Sequence, residues 1–294
     1  MRIVSLCPSI TESLVAFGLR EELAGVTRYC VHPREALAGI PRVGGTKNPD
    51  LGAIRALGPD LVFCNGEENR KEDIEALKRD FVVDVSHPRA VGEIPSLLRH
   101  FGRLTGTEER AEEISSKVEE ALKRVEDEAR NRAADVSRPG PAAAPTEPPR
   151  FRYVYLIWKD PWMTVGSRTY IADLLRRVGG ALSLEESSDS GASDYPVATE
   201  GEIVESRPDI LFLPDEPYRF RERDAAFWRT RVPESTRVVL VPGDDFCWHG
   251  VRTLRGLEAA RGLAGSLSLR PDGGAGPETP LVPPSGGRFR GARR

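Results

Sequence analysis

The sequence contains few cysteines, and their placement excludes a small disulfide-stapled fold. Only four occur in 294 residues, scattered at Cys7, Cys30, Cys64 and Cys247 beside strand-like apolar runs. Disulfide scaffolds are short and cysteine-dense, whereas an isolated cysteine next to a strand behaves as a small core hydrophobe. We therefore expect reduced, packed thiols at these positions.

Long apolar runs are also missing. No stretch approaches the roughly 18 to 20 residues that span a bilayer. The start "MRIVSLCPS" passes from Met1 straight into a strand pattern, without the basic and apolar segments of a signal peptide. We therefore expect a cytoplasmic protein as encoded; the alternative is a periplasmic or extracellular one whose start codon is misassigned.

Neither a strong net charge nor a familiar catalytic motif is present. A formal net charge of -3 with 30% charged residues gives no basic footprint for a nucleic acid. The chain lacks a G-x-S-x-G elbow, a G-x-x-x-x-G-K-[ST] phosphate loop and a G-x-G-x-x-G turn after a strand. The adjacent acids Asp244 and Asp245, near His249, favour a loop or helix-cap role over acid-base chemistry. We expect binding rather than catalysis, with no nucleic-acid partner.

What the sequence does contain is an alternation of strands and helices. "RIVSL", "AGVT", "DLVFC" and "FVVDV" are short β-branched runs, and helical patterns separate them. Ser9 and Glu12 have the spacing of a capping box that opens the first helix, which Gly18 ends. This alternation predicts a mainly parallel sheet whose ligand-facing loops follow the carboxyl ends of the strands.

One long helix divides this pattern from a second copy of it. Apolar residues recur at helical spacing from about 107 to 134, and "PDLGAIRALGPDLVFC" (49–64) resembles "ATEGEIVESRPDILFL" (198–213). The repetition predicts duplicated lobes. We place their boundaries as follows: a first α/β lobe at 1–105, a connecting helix at 106–136, a Pro/Ala-rich linker at 137–150, a second α/β lobe at 151–266 and a disordered tail at 267–294.

The motifs along both lobes resemble one family. "RIVSLCPSITESLVAFG", "GVTRYCVHP", "VGGTKNPDLGAIRALGPDLVF", "YPVATEGEIVESRPDILFL" and "GDDFCWHGVRTLRGLEAARGL" occur in this order over about residues 1–265. They are similar to the helical-backbone metal receptors, the substrate-binding proteins of cobalamin, siderophore and haem ABC importers, and most like the cobalamin branch. Cys7 stands where that family usually has serine.

The resemblance implies an α/β fold of two Rossmann-like lobes with mainly parallel sheets, joined by one long backbone helix: a class III, chelatase-like substrate-binding protein. It implies a monomer without a cofactor of its own that holds cobalamin or a similar metal chelate between the lobes, with an ABC permease as partner. Haem and ferric siderophores are alternative ligands. A cytoplasmic metal- or cofactor-handling protein without a transporter is the rival interpretation.

Strand-end loops supply the residues expected to line that cleft. Their aromatic faces suit a wide, largely apolar macrocycle, although core packing is the alternative for each tryptophan. The expected ligand-binding residues are Tyr29, Cys30, His32, Trp158, Trp162, Tyr195, Trp248 and His249. For docking to a permease we expect Glu67, Glu68 and Glu216.

The paired "YCVHP" and "FCWHG" raise the question of a metal. Two Cys-x-His pairs supply enough ligands for tetrahedral zinc, but their spacing is unlike a zinc knuckle. We favour His32 or His249 as a polar contact or as an axial ligand to cobalt or iron. An anionic siderophore would instead need converging cations, for which Arg28, Arg168 and Arg252 are the candidates.

Overall fold

The structure is a computed structural model that describes residues 1–136, 149–184 and 193–267. It has an α/β fold with two sheets, as predicted. The expected linker at 137–150 and tail at 267–294 fall outside the described residues except at their edges, and the lobe boundaries stay predictions.

The first lobe contains a four-stranded parallel sheet in the order β2-β1-β3-β4. Its strands are β1 (Ile3–Ser5), β2 (Leu23–Val26), β3 (Leu61–Asn65) and β4 (Val82–Ser86). The helices are α1 (Pro8–Ala16), α2 (Leu51–Leu57), α3 (Lys71–Leu77) and α4 (Ile94–Thr105). The strand order reverses between β1 and β3, and ligands bind doubly wound sheets at such a switch point.

The second lobe repeats this topology. Its sheet has the order β6-β5-β8-β9, and β7 pairs with β5. The strands are β5 (Phe151–Trp158), β6 (Met163–Thr164), β7 (Gly180–Leu182), β8 (Ile210–Pro214) and β9 (Arg237–Val241), and β6 alone is antiparallel. The helices are α6 (Tyr170–Arg177), α7 (Glu200–Glu205), α8 (Glu222–Arg229), α9 (Gly243–Cys247) and α10 (Thr253–Leu267). The order β7-β5-β8-β9 therefore matches β2-β1-β3-β4.

The repeated Pro-Asp pair has the same role in both lobes. Asp60 accepts a hydrogen bond from the backbone N–H of Arg2 at 2.7 Å, and Asp209 accepts one from Arg152 N–H at 2.6 Å. These aspartates lie just before β3 and β8, so each carboxylate joins the start of that strand to the start of the first strand of its lobe. This shared contact explains why the two sequence segments look alike.

Among the described residues, one long helix, α5 (Glu108–Val136), lies between the two lobes in sequence. Its apolar stripe is buried at Ile114, Val118, Leu122 and Val125. Arg99 of α4 binds Glu112 and Glu119 on the exposed side of α5. From the second lobe, Arg177 and Arg261 form ion pairs with Glu126 and Glu128 of α5. The helix is thus fixed to both lobes along its length.

The predicted capping box at Ser9 and Glu12 is wrong. Helix α1 begins two residues earlier than this pattern predicts, with Pro8 in its first turn and Cys7 as an N-cap that makes no side-chain bond. Pro at the first helical position needs no N–H partner. Ser9 and Glu12 instead contact the second lobe.

Candidate ligand-binding cleft

The floor of the inter-lobe cleft is a direct contact between the lobes. The segment 248–252 of the second lobe packs on α1. There Arg252 donates to both carboxylate oxygens of Glu12 at 2.8 Å, and Val251 N–H donates to Ser13 Oγ at 3.1 Å. Gly250 has φ +81°, and an added Cβ would lie 2.2 Å from Ser13 Oγ. Only glycine fits this close approach.

His249 lies in this floor and is buried, with 7% of its surface exposed. Its Nε2 is 3.1 Å from Ser9 Oγ and 3.2 Å from Asn65 Nδ2. Asn65 Oδ1 accepts from the N–H groups of Glu67 and Glu68, so its amide donates to Nε2 and the ring proton sits on Nδ1. Burial, helped by His87, lowers the pKa of His249 to about 4. The imidazole is therefore neutral, and its Nδ1 has no partner among the described residues.

Cys30 does not face His249. Its thiol is 3.1 Å from Thr11 Oγ1 and 3.2 Å from Thr27 Oγ1, and it is fully buried in the first lobe. Burial raises its pKa. Cys7, Cys30 and Cys64 are buried free thiols, and Cys247 is half-buried. Within the described residues the two Cys-x-His pairs are not arranged as a zinc site, nor does any group of three or more His, Cys, Asp or Glu form one.

The two Cys-x-His segments do contact each other, through His32 and Trp248 rather than through their cysteines. His32 Nε2 is 3.4 Å from Asp244 Oδ2, and its ring contacts Trp248 edge-on at 5.7 Å between centroids. Trp248 is 7% exposed and also lies 5.2 Å from the Arg252 guanidinium. His32 is thus the more accessible of the two histidines, while Trp248 is packed into the cleft wall.

Two aromatic rings are exposed where strands end. Tyr29 follows β2 and is 50% exposed, and Trp158 ends β5 and is 43% exposed. Tyr218 supports Trp158 edge-on at 5.7 Å, and Arg28 lies 5.1 Å from the Tyr29 ring. Large exposed aromatics at the carboxyl ends of parallel strands are typical of a ligand-binding edge.

Trp162 lies elsewhere, in an aromatic cluster inside the second lobe. Its ring stacks on Phe220 at 6.3 Å and contacts Trp228 at 4.9 Å. Lys159 is 5.6 Å from the same ring. Packing against these neighbours accounts for the position of this indole, and its role at the ligand stays a prediction.

Tyr195 reaches across the mouth of the cleft. Its hydroxyl donates to Glu67 of the first lobe, and burial, with the Glu67 charge, raises the pKa of the phenol. Glu67 also lies 3.6 Å from His87 Nε2. A second bridge joins Arg89 to Asp194 at 3.1 Å. Contacts therefore cross the cleft at its mouth as well as at its floor.

Of the acids predicted for permease docking, Glu67 and Glu68 are exposed. Glu216 is half-buried, accepts from the Cys247 thiol at 3.5 Å, and accepts from the indole of Trp248. Burial and then the Asp244 carboxylate raise the pKa of Glu216 to about 7. Loss of water around Glu68 raises the pKa of that carboxyl too. The role of Glu67, Glu68 and Glu216 in docking to a permease stays a prediction.

Sequence reasoning missed several residues of this region. Ser9 contacts His249, although its sequence pattern predicts a helix cap, and Asp215, which accepts from Gly243 N–H, is not among the predicted site residues. Asp215 directly follows the apolar run of β8, a position that could have marked it.

Comparisons with known proteins agree with this architecture. A family model described as periplasmic binding protein matches residues 3–227. The vitamin B12-binding protein of Vibrio parahaemolyticus is 26% identical over 217 residues, which cover 72% of this chain and 70% of that protein.

Two solved structures have the same fold. The periplasmic vitamin B12 binding protein BtuF of Vibrio cholerae has a TM-score of 0.72 at 19% identity, covering 92% of this chain and 98% of that one. The periplasmic heme-binding protein RhuT from Roseiflexus sp. RS-1, in apo form, has a TM-score of 0.70 at 20% identity, covering 90% and 97%. They confirm the predicted class III fold with two lobes.

These matches test two expectations from the sequence: the cellular location, and binding rather than catalysis. The cytoplasmic location is wrong, because the family is one of periplasmic binding proteins and both solved neighbours are periplasmic. No helix among the described residues has the length and apolar character of a membrane span. Binding rather than catalysis is confirmed, since the family consists of binding proteins. With its match over residues 3–227 and its fold of two lobes on one helix, the chain belongs to the periplasmic binding protein family.

Proposed function

We propose that this protein captures a corrinoid of the cobalamin class between its lobes and delivers it to an ABC importer. Family membership and the likeness to a vitamin B12-binding protein support the class of ligand. The observation that carries the proposal is the pair of exposed aromatic rings, Tyr29 from the first lobe and Trp158 from the second. In this proposal the two rings cover opposite parts of the ligand's apolar surface.

The energy available from these rings is substantial. An aromatic side chain buries about 150 to 250 Å² when fully covered, and Tyr29 and Trp158 have 50% and 43% exposure left. Covering the remaining half is worth about 2 to 3 kcal/mol per ring at 25 cal/mol per Å². The translational and rotational freedom that the ligand loses on binding reduces this gain. A macrocycle wide enough to touch both rings gains most from it.

Haem is the second candidate ligand. The likeness in fold to a heme-binding protein supports it, as does the side chain of His32, which is 35% exposed. Imidazole ligates both cobalt and iron. We assign any axial contact to His32, because its side chain is 35% exposed whereas His249 is buried between Ser9 and Asn65.

The permease is the proposed partner, as for other substrate-binding proteins that the sequence resembles. Glu67, Glu68 and Glu216 stay predictions for that contact.

The test is a titration of the purified protein with cyanocobalamin, haemin, a ferric siderophore and zinc, followed by visible spectra and calorimetry. We expect saturable binding of cyanocobalamin with quenching of tryptophan fluorescence. Sub-micromolar zinc binding without any response to cobalamin or haemin would overturn the proposal.

Aromatic variants locate the site. Tyr29→Ala and Trp158→Ala should each weaken cobalamin binding by about 1 to 3 kcal/mol, because each removes a ring that stacks on the ligand. Trp228→Phe is the comparison variant, since that ring is fully buried and packs on Trp162 and Phe227. Unchanged affinity in both alanine variants, with the fold intact by circular dichroism, would remove the rings from the site.

A further inference from the structure

The contacts between the lobes at the floor and at the mouth of the cleft differ in burial. At the floor, the Arg252 side chain is 2% exposed, and His249 is buried between Ser9 and Asn65. At the mouth, the Arg89 side chain that pairs with the opposite lobe is 47% exposed. Exposed ion pairs contribute little to stability, whereas breaking a buried one is costly. The lobes therefore separate more easily at the mouth than at the floor.

The mouth contacts come from one short segment of the second lobe, residues 194–198, which we call the arm. Asp194 pairs with Arg89 at 3.1 Å, and the hydroxyl of Tyr195 donates to Glu67. Both partners belong to the first lobe. Because the two arm residues are neighbours in the chain, an outward displacement of the arm breaks both contacts together.

The arm is fixed to its own lobe. It lies antiparallel to the segment that contains β6, with an isolated bridge between Val197 and Met163. The backbone hydrogen bonds that hold it measure 2.9, 3.0 and 3.0 Å and run from the N–H groups of Gly166, Thr164 and Ala198 to the carbonyls of Asp194, Pro196 and Trp162. Arg168 also pairs with Asp194, at 3.2 Å. The arm therefore moves with the second lobe rather than as a separate loop.

The surface that receives the arm is fixed as well. In the loop after β3, Asn65 Oδ1 accepts from Glu67 N–H at 2.9 Å. Gly66 N–H donates to the carbonyl of Ser86 at 2.8 Å, which joins this loop to the end of β4, just before Arg89. Both partners of the arm thus lie on braced loops. When the lobes move apart at the mouth, these loops cannot follow the arm.

We propose that the arm is a latch: its contacts with Arg89 and Glu67 hold the mouth closed, and their release controls how fast a ligand enters and leaves the cleft. In this scheme the same two contacts close the empty and the occupied cleft. Their loss therefore accelerates entry and release by similar factors and changes the Kd little. The effect on ligand exchange rests on the proposed function, whereas closure of the mouth does not.

The first test is the rate of ligand exchange. Arg89→Met removes the ion pair, and Tyr195→Phe removes the hydroxyl while keeping the ring. Stopped-flow fluorescence with cyanocobalamin should show association and dissociation each accelerated about two- to fivefold in either variant, the range expected for an exposed contact. The double variant should reach about tenfold if the contributions add. The Kd should stay within about twofold of the wild-type value.

The second test needs no ligand and uses Cys247 as a probe of opening. This half-buried thiol precedes Trp248, whose ring contacts His32 of the first lobe. Its reaction with a dithiobis(nitrobenzoate) reagent, located by peptide mass spectrometry, should be about tenfold faster in the double variant, because modification follows the population of the opened form. The buried cysteines, Cys7, Cys30 and Cys64, should stay slow, which shows that the fold is intact.

Arg55→Met is the matched control. Its side chain is also 47% exposed, and it pairs at 2.8 Å with Asp80 inside the first lobe. We expect wild-type exchange rates and wild-type Cys247 reactivity in this variant. An unchanged Cys247 rate in the folded double variant would overturn the latch, and so would a weaker Kd that arises from faster dissociation alone. If cyanocobalamin does not bind to the wild-type protein, the proposed function fails, and the thiol rate still decides whether the arm closes the mouth.

Discussion

Replacing Arg252 with methionine tests the contact that joins the lobes. The guanidinium is 2% exposed and binds Glu12 at 2.8 Å, Asp244 at 2.9 Å and Asp245 at 3.2 Å. Arg252→Met keeps the aliphatic packing beside Trp248 but leaves Asp245, also 2% exposed, without this partner. Removing one member of a buried ion pair costs about 3 to 5 kcal/mol, because the remaining charge stays buried.

The measurement is the free energy of unfolding from urea denaturation at pH 7.5, compared at equal m-value. Arg255→Met is the control, because Arg255 contacts the same Asp245 oxygen at 3.1 Å but its side chain is 46% exposed. An exposed pair of this kind is worth about 0 to 1 kcal/mol. A loss below about 1 kcal/mol in Arg252→Met, equal to that of the control, would refute the view that this cluster joins the lobes.

Two further predictions concern Gly250 and Glu216. Gly250→Ala should destabilise the protein by about 1 to 3 kcal/mol, because φ is +81° and the new Cβ would meet Ser13 Oγ; thermal unfolding measures it, and an unchanged midpoint would contradict the close approach. The pKa of Glu216 is raised from 4.5 to about 7 in the folded protein. The folded state therefore holds this proton more tightly, and stability falls as pH rises through that window. Glu216→Gln should be more stable than wild type at pH 8 by roughly 2 kcal/mol and show no such gain at pH 4.5; parallel pH profiles of the two proteins would contradict it.

Local patterns were enough to predict most of the fold. The run "DLVFC" forms β3 and "DILFLP" forms β8. The apolar stripe that includes the buried Val118, set among charged residues, forms α5. Each is a short-range signal, since apolar spacing and turn residues act within a few positions. The antiparallel β6 and the five-residue α9 could not be predicted from the sequence, because elements so short have almost no periodicity.

The cleft was predictable in its place but not in its contacts. Ser9 and His249 are 240 residues apart, and no spacing rule links them. Ser9 has the pattern of a helix cap, yet the pairing with His249 needs the whole fold. Trp162 has polar neighbours in sequence and aromatic neighbours in space, so its packing on Trp228 could not be read from the chain. Charge partners such as Glu12 and Arg252 are hidden for the same reason.

The docking of segment 248–252 on α1 has a consequence for the order in which the protein is made. A chain synthesised from its N-terminus completes β1 to β4 and α5 long before residue 252 exists. Until then Ser9, Ser13 and the Glu12 carboxylate lack their native partners, and the surface of the first lobe stays unfinished. Domains usually fold as units during synthesis. Here the first lobe reaches its final surface only after residues 248–252 are synthesised, so the native contact between the lobes forms late rather than lobe by lobe.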